Sequence, residues 1–116
     1  MKKFFALFTI PAAVMDAWRK ATPPEEMKKA GDEMMQAWGK WMQDNAKSIV
    51  DPGGPLGKTK RVTAEGVSDA RNDLTGYIIL QAESHDAAAK LFSNHPQFRI
   101  PQSTVELMEL PPMPGR

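Results

Sequence analysis

Residues 3–10 read KFFALFTI and residues 76–82 read GYIILQA. Each is short, aromatic or β-branched, and apolar at consecutive positions, so each reads as a strand with both faces in apolar surroundings. In the first, Phe4, Ala6, Phe8 and Ile10 share one face while Phe5 and Leu7 share the other. In the second, Ile78 and Leu80 lie opposite Tyr77 and Ile79.

Two weaker strands and two helices complete the pattern. Residues 12–20 form a short helical turn. Thr22, with Pro23 next and Glu25 three residues on, has the form of a capping box and starts a long helix to about Ala46. Met27, Gly31, Met34, Trp38, Trp41 and Asn45 recur along it at helical spacing. Gly31, costly inside a helix, suggests close packing against a strand. Ser48 to Val50 opens a second strand, which Asp51-Pro52-Gly53-Gly54-Pro55 bends and Leu56 to Thr63 continues. Residues 64–75 read as a polar connection. Ser84 caps a second helix with Ala87, Ala88, Leu91 and Phe92 on its apolar side, closed by Asn94 and Pro96. In 103–110, Val105, Leu107 and Met108 are set among Glu106 and Glu109 as a fourth strand.

The order βαββαβ predicts a ferredoxin-like α+β domain over residues 1–110, with a four-stranded antiparallel sheet and both helices on one face, followed by a loosely ordered Pro-rich tail at 111–116. Such a sheet normally shows polar residues on its uncovered face. Here Phe5, Leu7, Tyr77 and Ile79 would be left wet, forgoing about 1.5–3 kcal/mol each. The connection 51–75 can fold over them. A second copy of the sheet, closing a dimeric barrel, is the expected solution.

Composition bounds the partners. Fifteen basic residues against fourteen acidic give no field for nucleic acid or an anionic membrane, and no apolar run approaches a membrane span. Lys2-Lys3 before an apolar stretch imitates a signal peptide. Pro11 ends that stretch after only seven residues, however, and Asp16 and Arg19 come soon after, so a strand in a cytoplasmic protein is the expectation. The chain has no Cys and two His, and the bend at 51–55 lacks the spacing of a phosphate loop, so neither metal nor cofactor is expected. His85 and Asp86 project about 100° apart on a helix and chelate poorly. Tyr77 alone does not make the stacking platform of an RNA-recognition domain.

The stretches KKFFALF, VDPGGPLGKTKRV, GVSDARNDLTGYIILQAES, NHPQF and VELMELPPMPG, in this order and spacing, resemble the YCII-related family and its longer DGPF-type members across nearly the whole chain. That resemblance implies a dimeric α+β barrel. Most such proteins have no assigned function; some relatives use a His and an Asp in the cleft. Here Asp69-Ala70-Arg71-Asn72 stands in place of the DGPF signature, the first helix has no His, and the position before the Pro is His95. The His–Asp pairing therefore does not carry over.

His95 is the one catalytic candidate: a general acid or base in a cleft, or a residue capping the end of the second helix. Candidate ligand contacts are Asp51 and Gly54 at the bend, Arg61 beyond it, and Asp69, Arg71 and Asp73 in one loop beside Asn72. An Arg in such a loop clamps a carboxylate or phosphate, or fixes the loop through an internal ion pair. Trp38 and Trp41 read as core. The ligand is expected between the long helix, the 51–55 bend and the 69–73 loop, near His95. Two function classes follow. One is a homodimer that binds a small molecule, with acid–base chemistry such as elimination, isomerisation or hydrolysis. The other is a non-catalytic regulatory or interaction module built on the same dimer.

Overall fold

The computed structural model describes residues 1–113. The chain opens with β1 (Lys2–Thr9), α1 (Ala12–Ala21) and α2 (Pro24–Asp44), followed by β2 (Ile49–Pro55), β3 (Thr59–Thr63) and β4 (Gly66–Ala70). It continues with β5 (Leu74–Ala82), α3 (His85–Lys90) and β6 (Thr104–Leu110). Residues 111–113 have no regular structure; the rest of the expected tail lies outside the described residues.

The two apolar stretches are the middle of the main sheet. β1 lies between β5 and β6, β2 extends the sheet beyond β5, and every pairing is antiparallel. Phe4 stands opposite Leu80, and Phe8 opposite Gly76 and Val105. Alternation then sorts the side chains. Phe4, Ala6, Phe8, Ile78, Leu80 and Ala82 are buried on one face, beneath Trp41 of α2 and Ala88 and Phe92 at α3. The Trp41 indole N–H donates to the Leu91 carbonyl at 3.1 Å and ties the two helical segments together. The opposite face carries Phe5, Leu7, Tyr77 and Ile79, all half-buried, with Met108 exposed beside them, facing away from Val105 and Leu107.

Several local expectations are corrected. Residues 12–21 form a complete ten-residue helix rather than a turn. Thr22 does not cap α2: it is extended (φ −114°, ψ 124°), Pro23 occupies the N-cap position, and no side chain caps the helix. Two consecutive prolines explain this, because each excludes the residue before it from helical backbone and delays the start to Pro24. Gly31 packs against nothing; a Cβ there would meet no atom within 4 Å. The second strand stops at Pro55, and residues 59–70 form a hairpin of their own, β3 against β4. Val62 and Val67 face each other across it, 73% and 66% exposed. With neither face buried, its polar residues gave no alternating pattern.

The bend reads as expected. β2 runs through Asp51–Pro55 with two register shifts against β5. Gly53 has φ +63°, and a Cβ on it would lie 1.8 Å from the Tyr77 carbonyl oxygen, so only glycine permits β2 to approach β5 here.

Ser84 does cap α3, its hydroxyl accepting the Ala87 N–H at 3.0 Å. Ser84→Ala should lower stability by about 1 kcal/mol. Thr22→Ala, with no cap to lose, should shift the urea midpoint far less than Ser84→Ala. Equal losses would restore Thr22 as a cap.

Candidate functional site

Of the sequence-predicted ligand contacts, Asp69 and Arg71 line one cleft and Gly54 a second, while Asp51, Arg61 and Asp73 line neither. The first, about 670 Å³, lies between α1 and the β3–β4 hairpin and takes in Arg19, Lys58, Lys60, Asp69, Arg71 and Asn72. Lys60, Asp69 and Arg71 are held in ion pairs, while Arg19 and Lys58 are in none among the described residues. The Arg71 guanidinium donates both ends to the Asp16 carboxylate, at 3.0 and 3.1 Å, and Lys60 pairs with Asp69. The hydrogen bond from Arg71 is the main cause holding the Asp16 carboxyl below its usual range. Asp73 takes no place in the lining: its carboxylate accepts the Ala12 N–H at 3.0 Å and its carbonyl accepts the Ile10 N–H at 2.8 Å. It thus supplies from another loop the N-terminal cap that Pro11 cannot give α1. Arg61 lies exposed on β3 opposite Ser68 and lines neither cleft.

The second cleft, about 500 Å³, opens between α2 and the β2–β5 edge. Met34, Trp38 and Met42 form its helical wall, Phe8 its floor, and Pro52, Gly54 and Pro55 its far side. None of its lining side chains is charged. Gly54 belongs here as expected. Asp51 does not: its carboxylate accepts the Gly53 N–H at 2.8 Å and stabilises the bend.

His95 lies directly behind this cleft. It is 2% exposed, and its ring sits among four aromatic rings, with centroids 4.4 Å from Trp38, 4.7 Å from Trp41, 5.0 Å from Phe8 and 5.8 Å from Phe92. It does not cap the helix before it. Its Nδ1 accepts the Gln97 N–H at 3.0 Å and caps the short 3-10 turn Pro96–Arg99 that follows. Nδ1 is therefore the unprotonated nitrogen, and Nε2 carries the hydrogen. That Nε2–H has no hydrogen-bond partner among the described residues. Burial in this aromatic cage pushes the His95 pKa down to about 4, the reverse of what a helix C-terminus would do.

Gln97, which no sequence signal singled out, lines the cleft, is 4% exposed, and its side-chain nitrogen has no partner among the described residues. A His at an N-cap followed by Pro is the one pattern that could have drawn attention to this turn. His85 is also structural: its Nε2 donates to the Leu107 carbonyl at 2.8 Å. Among the described residues no group of three potential metal ligands occurs, and no helix is long and apolar enough to cross a membrane. No known family profile matches the chain, and no curated protein is significantly similar to it.

The depressed His95 pKa fixes the sign of a pH effect. The unfolded ring binds a proton below about 6.5, the folded ring only below about 4. The stability conferred by a neutral His95 is complete above pH 6.5 and is lost as pH falls toward 4, a loss of about 3 kcal/mol. His95→Asn keeps a capping acceptor but has no ring to titrate. The wild type should therefore lose more stability than His95→Asn between pH 7 and 4. Parallel profiles, or a ring titrating near 6.5 by NMR, would contradict the buried neutral ring.

Proposed function

We propose that this chain is a non-catalytic small-molecule-binding protein that works as a homodimer on a ferredoxin-like frame, related to the YCII-related, DGPF-type proteins it resembles. The observation that carries the binding reading is the buried, unpartnered amide nitrogen of Gln97 in the wall of an otherwise apolar 500 Å³ cleft. A buried donor without an acceptor costs about 1–3 kcal/mol, so an incoming acceptor gains what the free protein lacks. A concave, mostly apolar pocket with few polar groups is also the common form of a small-molecule site.

The state of His95 favours binding over acid–base turnover. One ring nitrogen gives its lone pair to the Gln97 N–H and the other already holds a hydrogen, so no lone pair is free to act as a base. At neutral pH the ring is not a cation and has no spare proton to give.

The strand order β2-β5-β1-β6 supports the ferredoxin-like reading, with the β3–β4 hairpin as an insertion between the second and third strands of that motif. The dimer reading rests on the half-buried Phe5, Leu7, Tyr77 and Ile79 and on the shape of the chain. Its extents are 49 × 44 × 19 Å and its radius of gyration 16.2 Å. A compact chain of this length has a radius of about 13 Å. A second copy against the uncovered face removes these apolar side chains from water.

Two measurements test the proposal. A thermal-shift screen of small aromatics should find compounds that stabilise the protein, by about 2.7 kcal/mol at a hundred times the dissociation constant. Gly54 has open space around it, with no atom within 4 Å of where a Cβ would stand, so Gly54→Leu should fill the cleft and remove that stabilisation without unfolding the protein. Compounds that stabilise both proteins alike would place the ligand elsewhere. Light scattering at micromolar concentration should give twice the chain mass, and Leu7→Glu should halve it; a monomeric wild type would end the dimer reading.

A further inference from the structure

We infer that the cleft takes an uncharged aromatic molecule bearing an oxygen acceptor, such as an aryl ketone, amide or ester, and rejects carboxylates and phosphates. This rests on the binding reading above and names its ligand class.

The exclusion of charge comes from the lining. Met34, Met35, Trp38, Met42 and Phe8 dominate it, and among the described residues no Lys, Arg, Asp or Glu reaches it. An anion entering would surrender its hydration with no cation to replace it, which is the costliest form of burial. His95 supplies no positive charge at neutral pH, because burial keeps its ring neutral. The contrast with the other cleft is direct: Arg19, Lys58, Lys60 and Arg71 all stand at that one.

Aromatic character follows from the same walls. Trp38 and Phe8 present ring surface, and rings gain from offset or edge contacts beyond simple burial. The thioethers of Met34, Met35 and Met42 add polarizable contacts that suit a ring edge and adapt to its shape.

The acceptor is specified by what the cleft leaves unpaired. The Thr75 hydroxyl already donates to the Phe8 carbonyl at 3.2 Å. The Gln97 amide nitrogen has no acceptor among the described residues. Its backbone is held on every side: its N–H goes to His95 Nδ1 at 3.0 Å, and its carbonyl accepts the Ser103 hydroxyl at 2.7 Å and the Ile100 N–H at 3.0 Å. Gln97 is therefore an unpaired donor carried on a braced turn.

Acetonaphthone, ethylnaphthalene and naphthoate share one aromatic body and differ only in the polar group. Isothermal titration calorimetry at neutral pH on the intact wild type should rank the ketone about tenfold tighter than the hydrocarbon, one hydrogen bond's worth. Naphthoate should bind at least tenfold more weakly than the ketone. Gln97→Leu should bring the ketone down to the hydrocarbon's affinity, leave the hydrocarbon unchanged, and keep or raise the unfolding midpoint, since an unpaired buried donor is removed. The wild-type ranking stands as a test even if the variant does not fold. Naphthoate binding as tightly as the ketone, or a ketone no tighter than the hydrocarbon, overturns the ligand class while leaving an aromatic-binding cleft. Failure of all three to bind overturns both readings.

Discussion

Strand β1 has neighbours on both edges and side chains on both faces, and the rest of the chain is arranged around satisfying it. Its backbone is paired by β5 and β6. Phe4, Ala6 and Phe8 are completely enclosed beneath α2 and α3. Phe8 is the hinge between stability and the candidate site, because its ring touches Trp38, Phe92 and His95 on one side and forms the floor of the apolar cleft on the other. Core packing and the floor of the cleft therefore share one set of contacts.

Against that apolar background two polar side chains stand out. His95 and Gln97 are buried polar residues, and each has a nitrogen without a partner among the described residues. A fold optimised only for stability would replace them or pair them, since buried polar atoms are almost always satisfied. Three hydrogen bonds hold the Gln97 backbone, while its buried side-chain nitrogen has no partner among the described residues. Local rules are broken most often where a protein does something, which is the physical reason for proposing the site here rather than at the more highly charged cleft beside α1. There, the ion pairs Arg71–Asp16 and Lys60–Asp69 turn the charges on one another.

The molecule is also thinner than its length requires. α1 buries no residue and much of α2 before Met34 is exposed. The β3–β4 hairpin pairs only with itself and shows Val62 and Val67 to solvent. Two-stranded hairpins are marginal in water on their own. These features, with the apolar outer face of β1 and β5, leave the single chain with unusually little of its apolar surface covered.

The sequence by itself determined the central strands, the capping of α3 by Ser84, the bend at Asp51–Pro55, and an outer sheet face too apolar for water. Each is a short-range matter of alternation, capping chemistry or backbone freedom, readable within a few residues. Tertiary structure decided the rest. Thr22 lost its capping role to the doubled proline beside it. The β3–β4 hairpin was hidden because no buried face imprinted a period on it. Arg71 and Asp73 were recognised as chemically capable, but Asp16, fifty-five residues away from Arg71, and the N-terminus of α1 claimed them. His95 lies just past a helix end, which argues for a cation, yet four aromatic rings, three of them from distant segments, strip away its water and keep it neutral. Gln97 carried no signal at all. An unpaired buried donor is defined by the atoms that fail to surround it, and only the folded chain determines which atoms those are.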